Sequence, residues 1–162
     1  MSNLSASAFK ALFDSHVLDI CDNLRKLDDD GTSFIGVSAN QEHHEVIVDK
    51  YNGFIKCLRD PKQVDERPNK FRELVSYITL HFIFENKYMA MLNYPDYEKH
   101  KTQHKNFIDN INGYNYKIRS GESTVDDMVL YIGHWLIGHV LITDKQFSDF
   151  EATHPDAAAH RT

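Results

Sequence analysis

The chain has 162 residues, of which 41% are hydrophobic and 26% are charged, so it suffices for one compact domain and is too short for two. A formal net charge of -6 argues against a protein that binds nucleic acid by neutralising phosphates. The two cysteines, Cys21 and Cys57, form neither a CxxC pair nor a disulfide framework, which is typical of a reducing compartment. We therefore expect a cytoplasmic protein.

The apolar segments of the chain do not predict a membrane protein. The first ten residues do not resemble a secretory signal, because no basic region leads into an apolar run. The longest apolar stretch, residues 128–143, is interrupted by His134 and His139 and is shorter than the ~20 residues that a bilayer requires. We therefore expect no membrane span.

The N-terminal region predicts an amphipathic helix that precedes the main domain. Apolar residues at steps of three and four mark residues 6–27, namely Phe9, Leu12, Phe13, Val17, Ile20, Cys21, Leu24 and Leu27. Three aspartates and Gly31 then interrupt the pattern and indicate an acidic loop. We divide the chain into this helix with its linker (1–33), a helical bundle (34–150) and a flexible tail (151–162).

Four further helices are predicted within the bundle region. Proline, glycine and capping residues mark their ends, and they run from about residue 41 to 58, from 68 to 92, from 95 or 96 to 120, and from 123 or 124 to at least 139. Because the connections are short, neighbouring helices should be antiparallel. The predicted fold is all-α, an up-down-up-down four-helix bundle with an additional N-terminal amphipathic helix.

Two pairs of polar residues interrupt the apolar faces of these helices. His81 and Glu85 are four residues apart on one helix, and His100 and His104 are four apart on the next, so each pair projects from a single face. Burying such groups without a partner is costly, and a metal ion is one partner that satisfies several of them. With ten histidines in the chain, however, one such pair occurs too easily by chance to indicate a site.

The remaining two bundle helices strengthen the case for a metal site. His44 lies on the first of them, and His139, followed by Asp144, lies on the last. All four helices then contribute inward-facing ligands. Five imidazoles and two carboxylates fit a dinuclear site better than a mononuclear one.

The succession of these motifs resembles the hemerythrin family. The sequence reads His81-Phe-Ile-Phe-Glu85, then the pair His100 and His104, and finally Trp135-Leu-Ile-Gly-His139-Val-Leu-Ile-Thr-Asp144. The Tyr94-Pro95 step before the histidine pair is similar to the bacterial branch, the bacteriohemerythrins. The resemblance covers about residues 34–150.

The resemblance implies a cofactor of two non-haem iron ions joined by an oxo or hydroxo bridge, with dioxygen as the ligand. One iron would be held by His100, His104 and His139, and the other by His44 and His81. Glu85 and Asp144 would bridge the two irons. The second iron would keep an open position for dioxygen, in a pocket formed by Ile47, Ile78, Trp135 and Leu136.

Two features of this motif depend on the local helix geometry: the choice between two adjacent histidines, and the five-residue spacing of His139 and Asp144. His43 and His44 lie about 100° apart on a helix, so only one of them can face the core. We predict His44, because its neighbours at steps of three, four and seven are all apolar, whereas His43 shares its face with Lys50. Asp144 follows His139 by five residues, about 140° around an ideal helix, which predicts a local distortion or a bulge.

Three classes of function are compatible with these residues. The first is reversible dioxygen binding, as an oxygen carrier or storage module or as the sensor input of a signalling protein. The second is a di-iron enzyme that oxidises ferrous iron or reduces peroxide or nitric oxide, and the third is a metal-free helical interaction module. We expect the first rather than an enzyme, because di-iron oxidases use carboxylate-rich sites. The N-terminal helix is expected to pack its apolar stripe on the outside of its own bundle or on the same helix of a second copy in a homodimer, or to contact a signalling output domain.

Overall fold

The computed structural model describes residues 38–154, and within this range the predicted all-α four-helix bundle is confirmed. The predicted helix at residues 6–27, its linker and residues 155–162 of the predicted tail lie outside the described residues. The bundle consists of α1 (Ser38–Arg59), α2 (Arg67–Met91), α3 (Tyr97–Ser120) and a fourth helical stretch. That stretch comprises α4 (Val125–Gly138), a π-helical turn (His139–Asp144) and α5 (Lys145–Thr153).

The helix ends follow the local signals that predicted them. Pro68 occupies the first turn of α2, where a missing backbone N–H costs no hydrogen bond. Gly121 ends α3 in a left-handed conformation with φ 78°, which a residue without Cβ adopts freely. Thr124 caps α4, and its side chain and that of Asp127 exchange hydrogen bonds with each other's backbone amides.

The main core lies between the four helices and is built from their apolar stripes. Its buried members are Ile47, Val48, Tyr51, Phe54, Ile55, Leu74, Ile78, Phe82, Phe107, Ile111, Met128, Val129, Ile132 and Leu136. The Tyr51 hydroxyl donates to the carbonyl oxygen of Val129 at 3.0 Å and so connects α1 to α4. Burial of each large side chain contributes about 1.5–3 kcal/mol, which makes this core the main source of the bundle's stability.

A second, smaller core holds α5 against the rest of the bundle. Phe147 is buried there with Tyr88, Met89, Leu92 and Tyr94. The Tyr88 hydroxyl also donates to the Oε1 atom of Glu151 at 2.9 Å, and Glu151 is buried. These contacts extend α5 to Thr153, so the predicted start of a flexible tail at residue 151 is wrong by three residues.

The fourth helical stretch is the most apolar part of the described chain. By length and composition alone, Val125–Thr153 is the one helix here that passes as a candidate membrane span. This is weak evidence, because the core helices of soluble proteins pass the same test. The stretch also carries His139 and Asp144 into the bundle interior. The absence of a membrane span therefore stays a prediction.

Candidate metal centre

The structure brings all seven predicted ligand residues together inside the bundle. His44 projects from α1, His81 and Glu85 from α2, His100 and His104 from α3, and His139 and Asp144 from the π-helical turn. Each of these side chains is at most 4% exposed. Four helices thus direct five imidazoles and two carboxylates into one water-poor space.

The donor atoms fall into two groups that share one carboxylate. Within each group, one ligand atom from every residue lies within 4.8 Å of the others. The larger group consists of Glu85, His100, His104, His139 and Asp144, and the smaller one of His44, His81 and Asp144. The five histidines divide as the resemblance implies, whereas Glu85 falls in the larger group alone.

Both carboxylates lie between imidazoles from different helices. Asp144 Oδ1 is 3.0 Å from His139 Nε2 and 3.3 Å from His100 Nε2, while Asp144 Oδ2 is 3.1 Å from His44 Nε2. Glu85 Oε2 lies 3.2 Å from His100 Nε2 and 3.8 Å from His81 Nε2, so it also reaches toward both groups. Either carboxylate is therefore positioned to bridge two ions.

The polar atoms of this space fit bound cations better than they fit one another. Nε2 atoms face each other at 3.2 Å between His44 and His81 and at 2.8 Å between His104 and His139. Despite their short distances to ring nitrogens, the oxygens of Glu85 and Asp144 form no hydrogen bond of favourable geometry among the described residues. Buried carboxylates in this situation are costly unless a cation is shared between them.

Most of these residues have protonation states that suit a metal, but His100 must release a proton before it can bind one. Burial lowers the pKa of His81 to about 3 and that of His104 to about 4, so both are neutral, as metal ligands must be. Burial would also lower the pKa of His100, but Asp144 and Glu85 raise it to about 9. Burial would raise the pKa of both carboxyls, yet the surrounding imidazoles hold them ionised with lowered pKa values. The protein's own groups therefore favour the entry of cations.

The unusual spacing of His139 and Asp144 is accommodated by a π-helical turn. The six residues His139–Asp144 form this turn between α4 and α5. A π-helix has a wider turn than an α-helix, with i to i+5 hydrogen bonds, so two residues five apart come closer to the same face. The predicted distortion is confirmed, and it delivers both side chains to the donor groups.

Two amide side chains lie within hydrogen-bond distance of the Nδ1 atoms of two of the clustered histidines. His139 Nδ1 lies 3.2 Å from Gln103 Oε1, and His104 Nδ1 lies 3.1 Å from Asn86 Oδ1. Acceptors at these positions keep the proton on Nδ1 and leave Nε2 free for a metal. Neither residue is identifiable from the sequence, because each contacts a histidine of another helix and no spacing signal marks it.

A small apolar cavity adjoins the smaller donor group. Its free volume is about 10 Å³, the size needed for one water-sized molecule. Three of the predicted pocket residues line it, whereas the fourth, Ile78, does not. Val48, Phe82 and Val140 line it in addition, and the full set is His44, Ile47, Val48, His81, Phe82, Trp135, Leu136, His139, Val140 and Asp144.

Aromatic rings cover one side of the centre. The Trp135 ring stacks on His139 with 4.2 Å between centroids, and the Phe82 ring stacks on His104 at 3.8 Å. His43 does not belong to either donor group, and its ring packs edge-on against Phe84 at 4.9 Å. The geometry therefore agrees with the choice of His44 over His43.

Comparison with known proteins places this centre in a family. A family model described as the hemerythrin HHE cation binding domain matches residues 36–149. A bacteriohemerythrin of Stenotrophomonas maltophilia is 26% identical over 120 residues, which cover 74% of this chain and 78% of that protein. A bacteriohemerythrin of Pseudomonas paraeruginosa is 31% identical over 117 residues, covering 70% and 74%.

A further relative is a myohemerythrin rather than a bacteriohemerythrin. A myohemerythrin of Theromyzon tessulatum is 22% identical over 104 residues, covering 64% of this chain and 82% of that protein. No solved structure gave a significant match. Since the family model covers more than half of the chain and includes all seven clustered residues, the chain belongs to the hemerythrin family.

Proposed function

We propose that the protein binds dioxygen reversibly at a centre of two non-haem irons. The observation that carries this proposal is the apolar cavity of about 10 Å³ beside the smaller donor group. That group has three donor residues against five in the larger one, so a metal held there keeps room for an external ligand. The family membership and the names of the relatives support the choice of iron and dioxygen.

Each protein residue has a defined part in this proposal. His100, His104 and His139 would hold one ion, His44 and His81 would hold the other, and Glu85 and Asp144 would be shared between them. Two ferrous ions held there would supply the two electrons for binding dioxygen. The carboxylates offset part of the positive charge of the ions, which lowers the cost of burying it.

The side chains around the cavity favour the entry of dioxygen over the entry of water. Ile47 and Leu136 present only apolar atoms to the cavity, and Trp135 covers it from the side of His139. A diatomic molecule needs no hydrogen bonds to cross such walls, whereas water loses its own on entry. Limited water access favours release of unchanged dioxygen over turnover.

The visible spectrum of the purified protein tests the proposal. The protein is loaded with ferrous iron without air, exposed to oxygen and then flushed with argon through several cycles. We expect an absorption band that appears with oxygen and disappears under argon, with two irons per chain. Immediate and permanent oxidation, or turnover with added peroxide or nitric oxide, would instead support a di-iron enzyme.

We propose that the centre serves as an oxygen carrier or as a sensor input. We propose further that the N-terminal segment contacts the bundle and so takes part in this role. Leu80, Ile83, Phe84 and Met91 share one face of α2 and are 39–61% exposed. The chain enters α1 beside this face, since His43 packs on Phe84. Residues 28–37 can span up to about 33 Å, a length that allows the apolar stripe predicted at residues 6–27 to reach this face.

We also propose a cytoplasmic location. Within residues 38–154 Cys57 is buried and forms no disulfide, with its thiol donating to the carbonyl oxygen of Gln63. A buried reduced thiol is typical of reducing compartments. Fractionation of the native cells with an antibody to the chain tests this location.

A further inference from the structure

We propose that Gln103 is a positioning residue that holds the π-helical turn, so that His139 and Asp144 reach the metal centre together. Its Oε1 atom accepts hydrogen bonds from two groups of that turn, His139 Nδ1 at 3.2 Å and Thr143 Oγ1 at 3.0 Å. The inference rests on the metal binding proposed above. It concerns a residue that is not itself a ligand.

The two hydrogen bonds attach both ends of the turn to α3. His139 is the first residue of the π-helical turn, and Thr143 directly precedes its last residue, Asp144. A π-helical turn is rare and less stable than the α-helical one it replaces, so contacts from outside must favour it. One oxygen atom of a half-buried side chain supplies two such contacts.

The attachment has a direct consequence for both donor groups. Asp144 belongs to both, with Oδ1 3.0 Å from His139 Nε2 and Oδ2 3.1 Å from His44 Nε2. If the turn relaxed toward an α-helix, Asp144 would rotate away from the face of His139. The smaller group would then retain only His44 and His81, although Gln103 contacts neither of them.

The position of Gln103 on α3 makes it suited to this role. It lies next to His104 and one turn from His100, so it connects the two ligands of α3 to the turn that carries His139 and Asp144. The Nδ1 atom of His104 has a different acceptor, the Oδ1 atom of Asn86 on α2. Asn86 therefore supports one imidazole without contacting the π-helical turn, and it provides a natural control.

The acceptor chemistry also decides which nitrogen of His139 carries the proton. An oxygen at Nδ1 keeps the proton there, so Nε2 directs a lone pair toward Asp144 and the larger donor group. Glutamate in place of Gln103 offers the same acceptor oxygen. Leucine has a similar volume and offers none, and Thr143→Val removes only the hydroxyl at the other end.

The experiment is an anaerobic titration of full-length protein with ferrous iron, which measures the number of tightly bound ferrous ions per chain. We expect two for the wild type and for Gln103→Glu. For Gln103→Leu and Thr143→Val we expect one tight ion and a second bound 10–100-fold more weakly. Asn86→Leu should weaken binding without this selective loss of one ion. Two tight ions in Gln103→Leu, or the same selective loss in Asn86→Leu, would overturn the inference.

A second measurement separates this inference from the proposed function. Amide hydrogen exchange of residues 139–144 is followed in the metal-free full-length protein. We expect faster exchange in Gln103→Leu and Thr143→Val than in the wild type and Asn86→Leu. If the wild type fails to bind two irons while this difference persists, the proposed function is wrong and the role of Gln103 stands. Equal exchange in all four proteins would refute the role of Gln103.

Discussion

Asp144 Oδ2 lies 3.1 Å from His44 Nε2, although the two residues are located near opposite ends of the described chain. The other oxygen of the same carboxylate faces His139 at 3.0 Å. One side chain from the last helical stretch thus connects the first helix to the larger donor group. The bridging role proposed for Asp144 depends on this contact across the bundle.

Asp144→Asn is expected to abolish the pair of irons while preserving the bundle. The amide keeps the volume and one oxygen but loses the charge and the second acceptor oxygen. Iron analysis should find at most one ion per chain, with unfolding still cooperative. Asp149→Asn, which alters an exposed partner of Lys145 on α5, is the control and should keep two. Two irons in Asp144→Asn would show that the carboxylate does not bridge.

His44→Ala should remove the iron-dependent absorption, and His43→Ala should retain it. Only His44 belongs to a donor group, whereas His43 packs among aromatic rings at the edge of the bundle. Iron content and the visible spectrum of both variants check this. Loss of the centre in His43→Ala alone would reverse the assignment.

Leu136→Phe should weaken dioxygen binding by roughly tenfold, equivalent to about 1.4 kcal/mol, without loss of iron. Leu136 lines the small cavity, and a larger side chain there fills space that the external ligand needs. Oxygen titration of the reduced protein measures the effect. Leu136→Met conserves the volume and serves as the control, so equal affinities for both variants would exclude the cavity as the binding pocket.

The cap of α4 should contribute to stability in a pH-dependent way. Thr124→Ala is expected to lower the free energy of unfolding by about 1 kcal/mol, because the Thr124 hydroxyl that accepts a hydrogen bond from the Asp127 N–H is lost. Burial would raise the pKa of Asp127, but hydrogen bonds from Thr124 and Ser123 lower it. The ionised carboxylate is therefore favoured in the folded state.

The sign of the pH effect follows from that lowered pKa. The contribution of Asp127 is complete above the unfolded pKa of about 4 and is lost as the pH falls through the lower folded pKa. Denaturant unfolding of the wild type and Asp127→Asn, both with chelator, should show a difference that shrinks as the solution is acidified. A difference that grows on acidification would contradict the assignment.

Ile83→Asp should release the N-terminal segment from the bundle. A charge in the middle of the exposed apolar face of α2 disfavours contact with the predicted stripe at residues 6–27. In full-length protein, hydrogen exchange of residues 6–27 should become faster while the molecular mass stays that of one chain. Tyr116→Asp, at an exposed apolar residue of α3, is the control. Unchanged exchange in Ile83→Asp would indicate that the N-terminal segment contacts another surface. A molecular mass that falls by half would indicate that the segment contacts a second copy of the chain.

The sequence by itself determined the helices and the candidate ligands, because both depend on short-range geometry. Pro68, Gly121 and Thr124 act on the turn in which they lie, so their effect on helix ends is readable without knowledge of the fold. His100 and His104 share a face because an α-helix places residues four apart above one another. His44 was separable from His43 for the same reason, since only its face is apolar.

Only the tertiary structure decided which groups meet across helices. The partners Gln103 of His139 and Asn86 of His104 come from other helices, and no periodicity relates them. Ile78 does not line the cavity, and the contact between Tyr88 and Glu151 holds α5 against the bundle within the segment predicted as a flexible tail. These contacts depend on the rotation and relative shift of whole helices, which packing of the complete core sets and no single segment encodes.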